Sequence, residues 1–327
     1  MSAHPQRQVT SDHQTRQWPT GTQELAPGVF AYLQSGGGLC VSNAGLIATP
    51  AGAAAEGATA VDALFTPPMT RAFLDEARRL TGRPVARLLN THHHVDHTLG
   101  NAAFPAATQI VAHAKAKAEM QRSGLGVLDV IARIAPHFAA DLRDARQRLP
   151  DLTFDGDALE LDAGGRRLRL LHLGPAHTVG DVLVHLPEER ILFAGDLAFF
   201  YVTPLAHEGH IGNWVRVGHR IIDEVDADVI VPGHGPVGTK VDLRLMLGYF
   251  ELLRDAGRPA FDAGASEQEA VRSILGRADI GPYAAWTEPE RIAPNVARLY
   301  REFRGELDAL IEDSAPSPLP FREGAGG

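Results

Sequence analysis

The chain has 327 residues, a formal net charge of -9 at pH 7, 44% hydrophobic and 22% charged residues, and one cysteine, a composition ordinary for a soluble fold with a sizeable core. With no lysine- or arginine-rich run to hold a phosphate backbone, nucleic acid is disfavoured as a partner, and the lone Cys40 excludes both an intrachain disulfide and a cysteine-based metal framework. No apolar run approaches the roughly 20 residues of a membrane span, and the opening stretch "MSAHPQRQVTSDHQTRQWPTGTQ" lacks the apolar core of a secretory signal, so the expected location is the cytoplasm.

In chain order, residues 1–22 are polar and aperiodic and read as a loose tail. The stretches "GVFAYLQ", "CVSNAGLIAT" and "ATAVDALF" read as strands, with Cys40 as a small buried residue on the second. A helix is expected from about Thr70, with Phe73, Leu74, Ala77 and Leu80 on one face and Gly82 and Pro84 closing it. The strand "VARLLN" follows, then "TQIVAH", then helical residues 114–148 with an apolar stripe of Val127, Val130, Ile131 and Ile134. That stripe reads as core, with an acyl-binding wall as the alternative. Two hairpins come next, one turning at Gly164-Gly165 and one at Pro187 to Arg190. A helix from about Asn213 to Val225, the strand "ADVIVPG", and helices from Lys240 to about Glu312 complete the pattern. Ser266 with Glu269 and Thr287 with Glu290 have capping-box spacing. This order gives an α/β domain over 23–240, helices over 241–313 packed on the same domain, and a second tail over 314–327.

The chemistry concentrates in "NTHHHVDHTLGN", Asn90 to Asn101, which follows a buried strand directly. His92 and His94 are alternate neighbours able to point one way, Asp96 and His97 begin the next turn, and His93 and Val95 face elsewhere. Neutral imidazole is the commonest metal ligand and carboxylate its hard companion, so this spacing suits one or two divalent ions. Three further turns place one such side chain each just after an apolar strand: His177 in "LHLGPAHTVGD", Asp196 in "ILFAGDL" and His234 in "VIVPGHGP". Glycine or proline beside each allows a tight turn.

The ordered set His92-x-His94-x-Asp96-His97, His177, Asp196 and His234 resembles the metallo-β-lactamase-fold hydrolases over about residues 24–240, with all seven ligand positions filled. The wording around these positions is similar to bacterial proteins labelled metal-dependent hydrolase or cyclase and to glyoxalase II-type thioester hydrolases. The resemblance implies a four-layer αβ/βα sandwich with the site at one edge between two sheets. It implies one ion on His92, His94 and His177, a second on Asp96, His97 and His234, and Asp196 bridging them. A hydroxide shared by two ions about 3.5–4 Å apart would attack an ester-like bond, a thioester or lactone. Asp96 would orient that hydroxide and serve as proton donor to the leaving group, while Asp62 would support the ligand loop. Zinc is favoured by the imidazole-rich set, and iron or manganese suits it too.

Around this core, Phe200, Tyr201, His207 and His210 in "AFFYVTPLAHEGHIGNW" are candidate substrate contacts, with plain packing as the alternative. His113 reads as structural, with a place at the cleft rim as the alternative; His172 and His185, inside β runs, read as structural. The expected partner is a small-molecule substrate, and a homodimer is left open. Two rival activities keep the same ligands: a biosynthetic cyclase or thioesterase acting on a polyketide-like substrate, and an iron-dependent oxygenase.

Overall fold

The structure is a computed structural model that describes residues 18–36, 38–50, 52, 57–276 and 280–311. The parts of the tails 1–17 and 314–327 lie outside the described residues. Residues 18–22 do not behave as tail: Trp18 is buried and donates its indole N–H to the Gln34 carbonyl at 2.8 Å, and the first strand already starts at Gly21.

Two sheets form the centre. The first contains seven strands in sequential order: β1 (Gly21–Ala26), β2 (Val29–Leu33), β3 (Ala44–Ile47), β4 (Ala58–Val61), β5 (Val85–Leu89), β6 (Gln109–His113) and β7 (Leu152–Phe154). It is antiparallel from β1 to β4 and parallel from β4 to β7. The second contains β8 (Ala158–Asp162), β9 (Arg167–Leu171), β10 (Leu183–Leu186), β11 (Ile191–Phe199) and β12 (Val229–His234), in the order β12-β11-β10-β9-β8. Only β11 and β12 are parallel there.

The two-residue period of a strand explains how the first sheet serves two cores. Val29, Ala31, Ile47, Val61, Leu89 and Val111 face the second sheet, whereas Phe30, Leu46, Ala60, Leu88 and Ile110 face outward onto α1 (Pro67–Thr81) through Phe73 and Ala77. This helix begins three residues before the expected Thr70, because Thr66 caps it and Pro67 and Pro68 fill positions where no amide partner is needed. Gly82 ends it at φ 65°, as expected.

After α2 (Val95–Thr98), the expected helical region 114–148 is broken into α3 (Ala114–Ser123), α4 (Val127–Ile134) and α5 (Ala139–Leu142). The orientation of α4 corrects the expected stripe: Leu128 and Ile131 are buried, while Val127, Val130 and Ile134 are exposed. Cys40 is likewise not on a strand; it is buried in a turn at φ 61°.

On the far face of the second sheet lie α6 (Ile211–Glu224) and α7 (Lys240–Asp262), followed by α8 (Glu267–Leu275) and α9 (Ile292–Phe303). Trp214, Leu243, Met246, Leu247, Phe250, Val296 and Leu299 join the same buried cluster as β10, β11 and β12. Helix, sheet, sheet and helix therefore stack as the expected four-layer αβ/βα sandwich. The capping box at Ser266 is present, but Thr287 forms none. It pairs with Val202 in an isolated bridge, and its amide donates to the Tyr201 carbonyl at 3.3 Å. The last helix stops at Phe303, where Gly305 follows at φ 72°, short of Glu312, which lies outside the described residues. Among the described residues no helix is long and apolar enough to cross a membrane.

Candidate metal centre

Several of the residues of interest sit where a parallel strand runs out: Asp62 after β4, His92 and His94 after β5 and His234 at the end of β12; Asp196 instead lies within β11, and His177 follows the antiparallel β9. Parallel neighbours end together, so their C-terminal turns converge on one volume. The β11–β12 register shifts around Gly195, which adopts φ 50°; a Cβ there would lie 2.5 Å from Thr91 Oγ1. Gly233 is still more constrained, since its Cβ would sit 1.9 Å from Asp196 Oδ1. Both glycines let the backbone pass close enough for Asp196 to enter the centre.

The seven expected side chains meet in two groups. Ligand atoms of His92, His94, His177 and Asp196 all lie within 4.8 Å of one another, and so do those of Asp96, His97 and His234. Asp196 reaches across both: its carboxylate is 3.0 Å from His97 Nε2, 3.2 Å from His177 Nε2, 3.5 Å from His234 Nε2 and 3.9 Å from His92 Nε2.

The outward hydrogen bonds dictate which nitrogen of each ring faces inward with a lone pair. Carboxylates and carbonyls only accept, so the ring nitrogen against them carries the proton. Asp62 Oδ2 takes His97 Nδ1–H at 2.8 Å, and the Val41 carbonyl takes His234 Nδ1–H at 3.0 Å. Thr91 Oγ1 spends its proton on Asp62 and so accepts from His92 Nδ1–H at 3.0 Å. Glu208 takes His94 Nε2–H at 3.1 Å. Lone pairs on His92 Nε2, His94 Nδ1, His97 Nε2 and His234 Nε2 therefore point into the centre. His92 Nε2, His97 Nε2 and Asp196 Oδ1 are buried there without a hydrogen bond, and His94 Nδ1 faces His177 Nε2 at 2.9 Å. Ligand atoms buried together with no hydrogen-bond partner of their own fit divalent metal ions.

Charge agrees with that fit. Burial works to raise Asp196, but the imidazoles of His97, His234 and His177 outweigh it and hold its carboxyl well below the usual range. Burial likewise opposes charging of His97, yet Asp196, Asp96 and Asp62 push it well above an ordinary histidine. Three carboxylates around one ring favour positive charge there, which the imidazolium supplies without an ion and a bound cation would supply in its place, leaving Nε2 its lone pair.

Second-layer contacts lock the frame. Asp62, at φ 59°, accepts from both the amide and the hydroxyl of Thr91 at 2.8 Å. Asp181 accepts from the Thr178 amide and hydroxyl and from the Ala176 amide, fixing the turn that carries His177; its burial pushes it up to about 7. Asn43 donates to the Pro232 and Gly235 carbonyls at 3.0 and 2.8 Å, tying β3 to the His234 turn.

Of the candidate substrate contacts, His207 alone stacks on the cluster, its ring centroid 5.0 Å from that of His94. Tyr201 donates its hydroxyl to Asp242 at the start of α7 at 2.8 Å. Phe200 is buried in the core. His210 accepts from the Asn213 amide as the N-cap of α6 and lines a cavity with Glu251, Arg254, Arg258 and Glu302, away from the two ligand groups. His113 is buried, caps α3 and stacks on His172 with centroids 4.1 Å apart. His93 lies outside the two ligand groups and faces Glu208 instead: it is buried, with Nε2 2.9 Å from that carboxylate, beside His94. Sequence reasoning passed over Glu208 although it lies between two histidines in "HEGH"; its only signal was a carboxylate in a histidine-rich turn.

Residues 37–234 match the sequence profile of the metallo-beta-lactamase superfamily. The chain is 30% identical over 182 residues to the 2,4-dinitroanisole O-demethylase subunit alpha of Nocardioides sp., covering 54% of this chain and 49% of that protein. It is 28% identical over 222 residues to the hydroxyacylglutathione hydrolase of Rhizobium meliloti, covering 67% of this chain and 71% of that one. With the acyl-coenzyme A thioesterase MBLAC2 of Homo sapiens it shares 28% over 171 residues, 49% of this chain and 59% of the relative. The solved structure of the sec-alkylsulfatase Pisa1 from Pseudomonas sp. superposes with TM-score 0.68 at 15% identity over 91% of this chain and 52% of that chain. The chain thus spans about half the length of the demethylase subunit and of the sulfatase. With the profile covering more than half of its residues and the sandwich fold and the His/Asp clusters in place, the chain belongs to the metallo-beta-lactamase superfamily.

Proposed function

We propose that the protein is a dinuclear metal-dependent hydrolase that cleaves a thioester of a small molecule. One observation carries this reading: two groups of inward-facing lone pairs meet at a single carboxylate, Asp196. His92, His94 and His177 would hold one divalent ion, Asp96, His97 and His234 a second, with Asp196 on both. Ions bound there would supply Lewis acidity toward a carbonyl oxygen and a water of lowered pKa. Zinc suits the imidazole-rich set best, and iron or manganese would be accepted.

The chain's own contribution is placement. Asp96 lies 3.3 Å from His234 Nε2 and 3.8 Å from His97 Nε2, and its side chain keeps 14% exposure. Burial works to raise Asp96, but His97 and His234 hold it below the usual range, so it is a carboxylate at neutral pH. That carboxylate is positioned to orient an attacking water, to take a proton from it and to return that proton to the leaving thiolate.

Two relatives, named as a hydroxyacylglutathione hydrolase and an acyl-coenzyme A thioesterase, favour thioester over lactone. The acidic chain favours a small-molecule substrate over nucleic acid, and a cytoplasmic location is part of the same reading. The test is thiol release from a panel of acyl-glutathione and acyl-coenzyme A thioesters by zinc-reconstituted protein, with Asp96→Ala as control. Turnover lost in the control supports the reading. No turnover with two ions bound overturns it, and directs attention to lactones, a polyketide-type cyclisation or, with iron and oxygen uptake, an oxygenase.

A further inference from the structure

Glu208 sits on the segment between β11 and α6, and that segment is held mainly by α9. The helix and the turn before it present Arg291, Asn295, Arg298 and Glu302 in a line at i, i+4, i+7 and i+11, all with buried or nearly buried side chains. Arg291 donates to the Thr203 carbonyl at 3.0 Å. Asn295 accepts from the Ala206 amide at 2.7 Å and donates to the Pro204 carbonyl at 2.8 Å. Arg298 donates to the carbonyls of Glu208 and Gly209, and Glu302 accepts from the amides of Ile211 and Gly212. A polar stripe on one helix thus pairs with seven backbone groups of residues 203–212, which an irregular segment would otherwise leave unpaired.

The same segment grips the ligand loops from its other side. The His210 amide donates to the Ala176 carbonyl at 2.9 Å, and a Cβ on Gly209 would lie 2.0 Å from that carbonyl, so the His177 turn rests directly on it. Glu208 Oε2 meets His93 Nε2 at 2.9 Å and His94 Nε2 at 3.1 Å. A carboxylate that takes two imidazole N–H groups is satisfied without a cation of its own, which argues against a third ion at this spot.

We infer that Glu208 is a positioning residue for the metal centre, and that α9 is the element that holds it in register. By accepting His94 Nε2–H it fixes the tautomer and the ring plane that leave Nδ1 as the ligand atom. The C-terminal helices therefore act on the site beyond the segment that matches the superfamily, which ends at His234.

This inference rests on the proposed metal-dependent reading, and one experiment separates their failures. Wild-type apoprotein, Glu208→Ala, Glu208→Gln and Arg298→Met are titrated with cobalt(II) followed by its visible absorption, with melting temperature recorded for each apoprotein. Glu208→Ala should weaken one of two binding steps by about 10–100-fold and leave the other unchanged. Glu208→Gln, which still offers an oxygen acceptor to His94, should recover most of that loss, and Arg298→Met should weaken the same step to a smaller extent. Wild-type protein that binds no ion overturns the hydrolase reading itself. Wild-type protein that binds two ions, with Glu208→Ala titrating identically, overturns the role of Glu208 alone. Unchanged steps in Arg298→Met beside a weakened Glu208→Ala would remove α9 from the inference.

Discussion

Asp196 touches more of the centre than any other single side chain named above, lying against His92, His97, His177 and His234. Asp196→Ala should reduce bound metal from roughly two ions to fewer than one and abolish nearly all turnover, because both groups lose their shared anchor. His93→Ala should keep both ions, since its imidazole contacts Glu208 rather than the centre. Metal analysis by mass spectrometry decides the pair, and equal loss in the two variants would refute the grouping. A histidine outside the centre contributes to acid behaviour. His113 is pushed down to about 3 by burial and by the neighbouring His172. A histidine depressed in the folded state favours folding above its unfolded pKa of about 6.5, and that stability is lost as pH falls toward the folded value. His113→Asn keeps a cap for α3 and removes the titration. The melting temperature of the variant should therefore fall less steeply than wild type between pH 6.5 and about 3.

At the scale of elements, α4 shows what periodicity can and cannot tell. Its apolar residues form one broad face opposite Asp129 and Arg133, so the side of that face carrying Val127, Val130 and Ile134 looks as buriable as the side carrying Leu128 and Ile131. Only the position of Phe65, Leu99 and Phe138 decides which face goes inward. Ile131→Ala should then cost about 2–5 kcal/mol by urea denaturation, whereas Val130→Gln should stay within about 0.5 kcal/mol. A comparable cost for both would mean the exposed face is covered in solution. Thr287 teaches the same lesson at a helix start. Its spacing to Glu290 suits a capping box, but pairing with Val202 takes its backbone first, and Glu288 precedes the helical turn instead.

For the whole molecule, the centre lies between the two sheets and is built from loops of both. Metal bound there should stabilise the sandwich as a unit. An ion present at a hundredfold excess over its Kd contributes about 2.7 kcal/mol. Stripping with a chelator should lower the melting temperature, and zinc should restore it. A melting temperature indifferent to both would show that the centre holds no ion in the folded protein.

What the sequence by itself determined was the set of chemical groups and their strand-end placement. Histidine and aspartate have few reasons to recur after apolar strands beside glycine; strand and helix order pointed to a layered α/β domain, and the resemblance implied its four-layer form. Asp196 and the six residues that meet around it were all named from the sequence. Tertiary structure decided the supports other than Asp62. Glu208 and Asn43 act through partners distant in sequence, Asp181 through a local turn that sequence reasoning passed over, and the stripe Arg291, Asn295, Arg298 and Glu302 acquires meaning only once the 203–212 segment is laid against it. A ligand set is written in residue type and local spacing, which are local properties of the chain. A hydrogen-bond acceptor for the far side of a ring is selected by packing, and packing is not local.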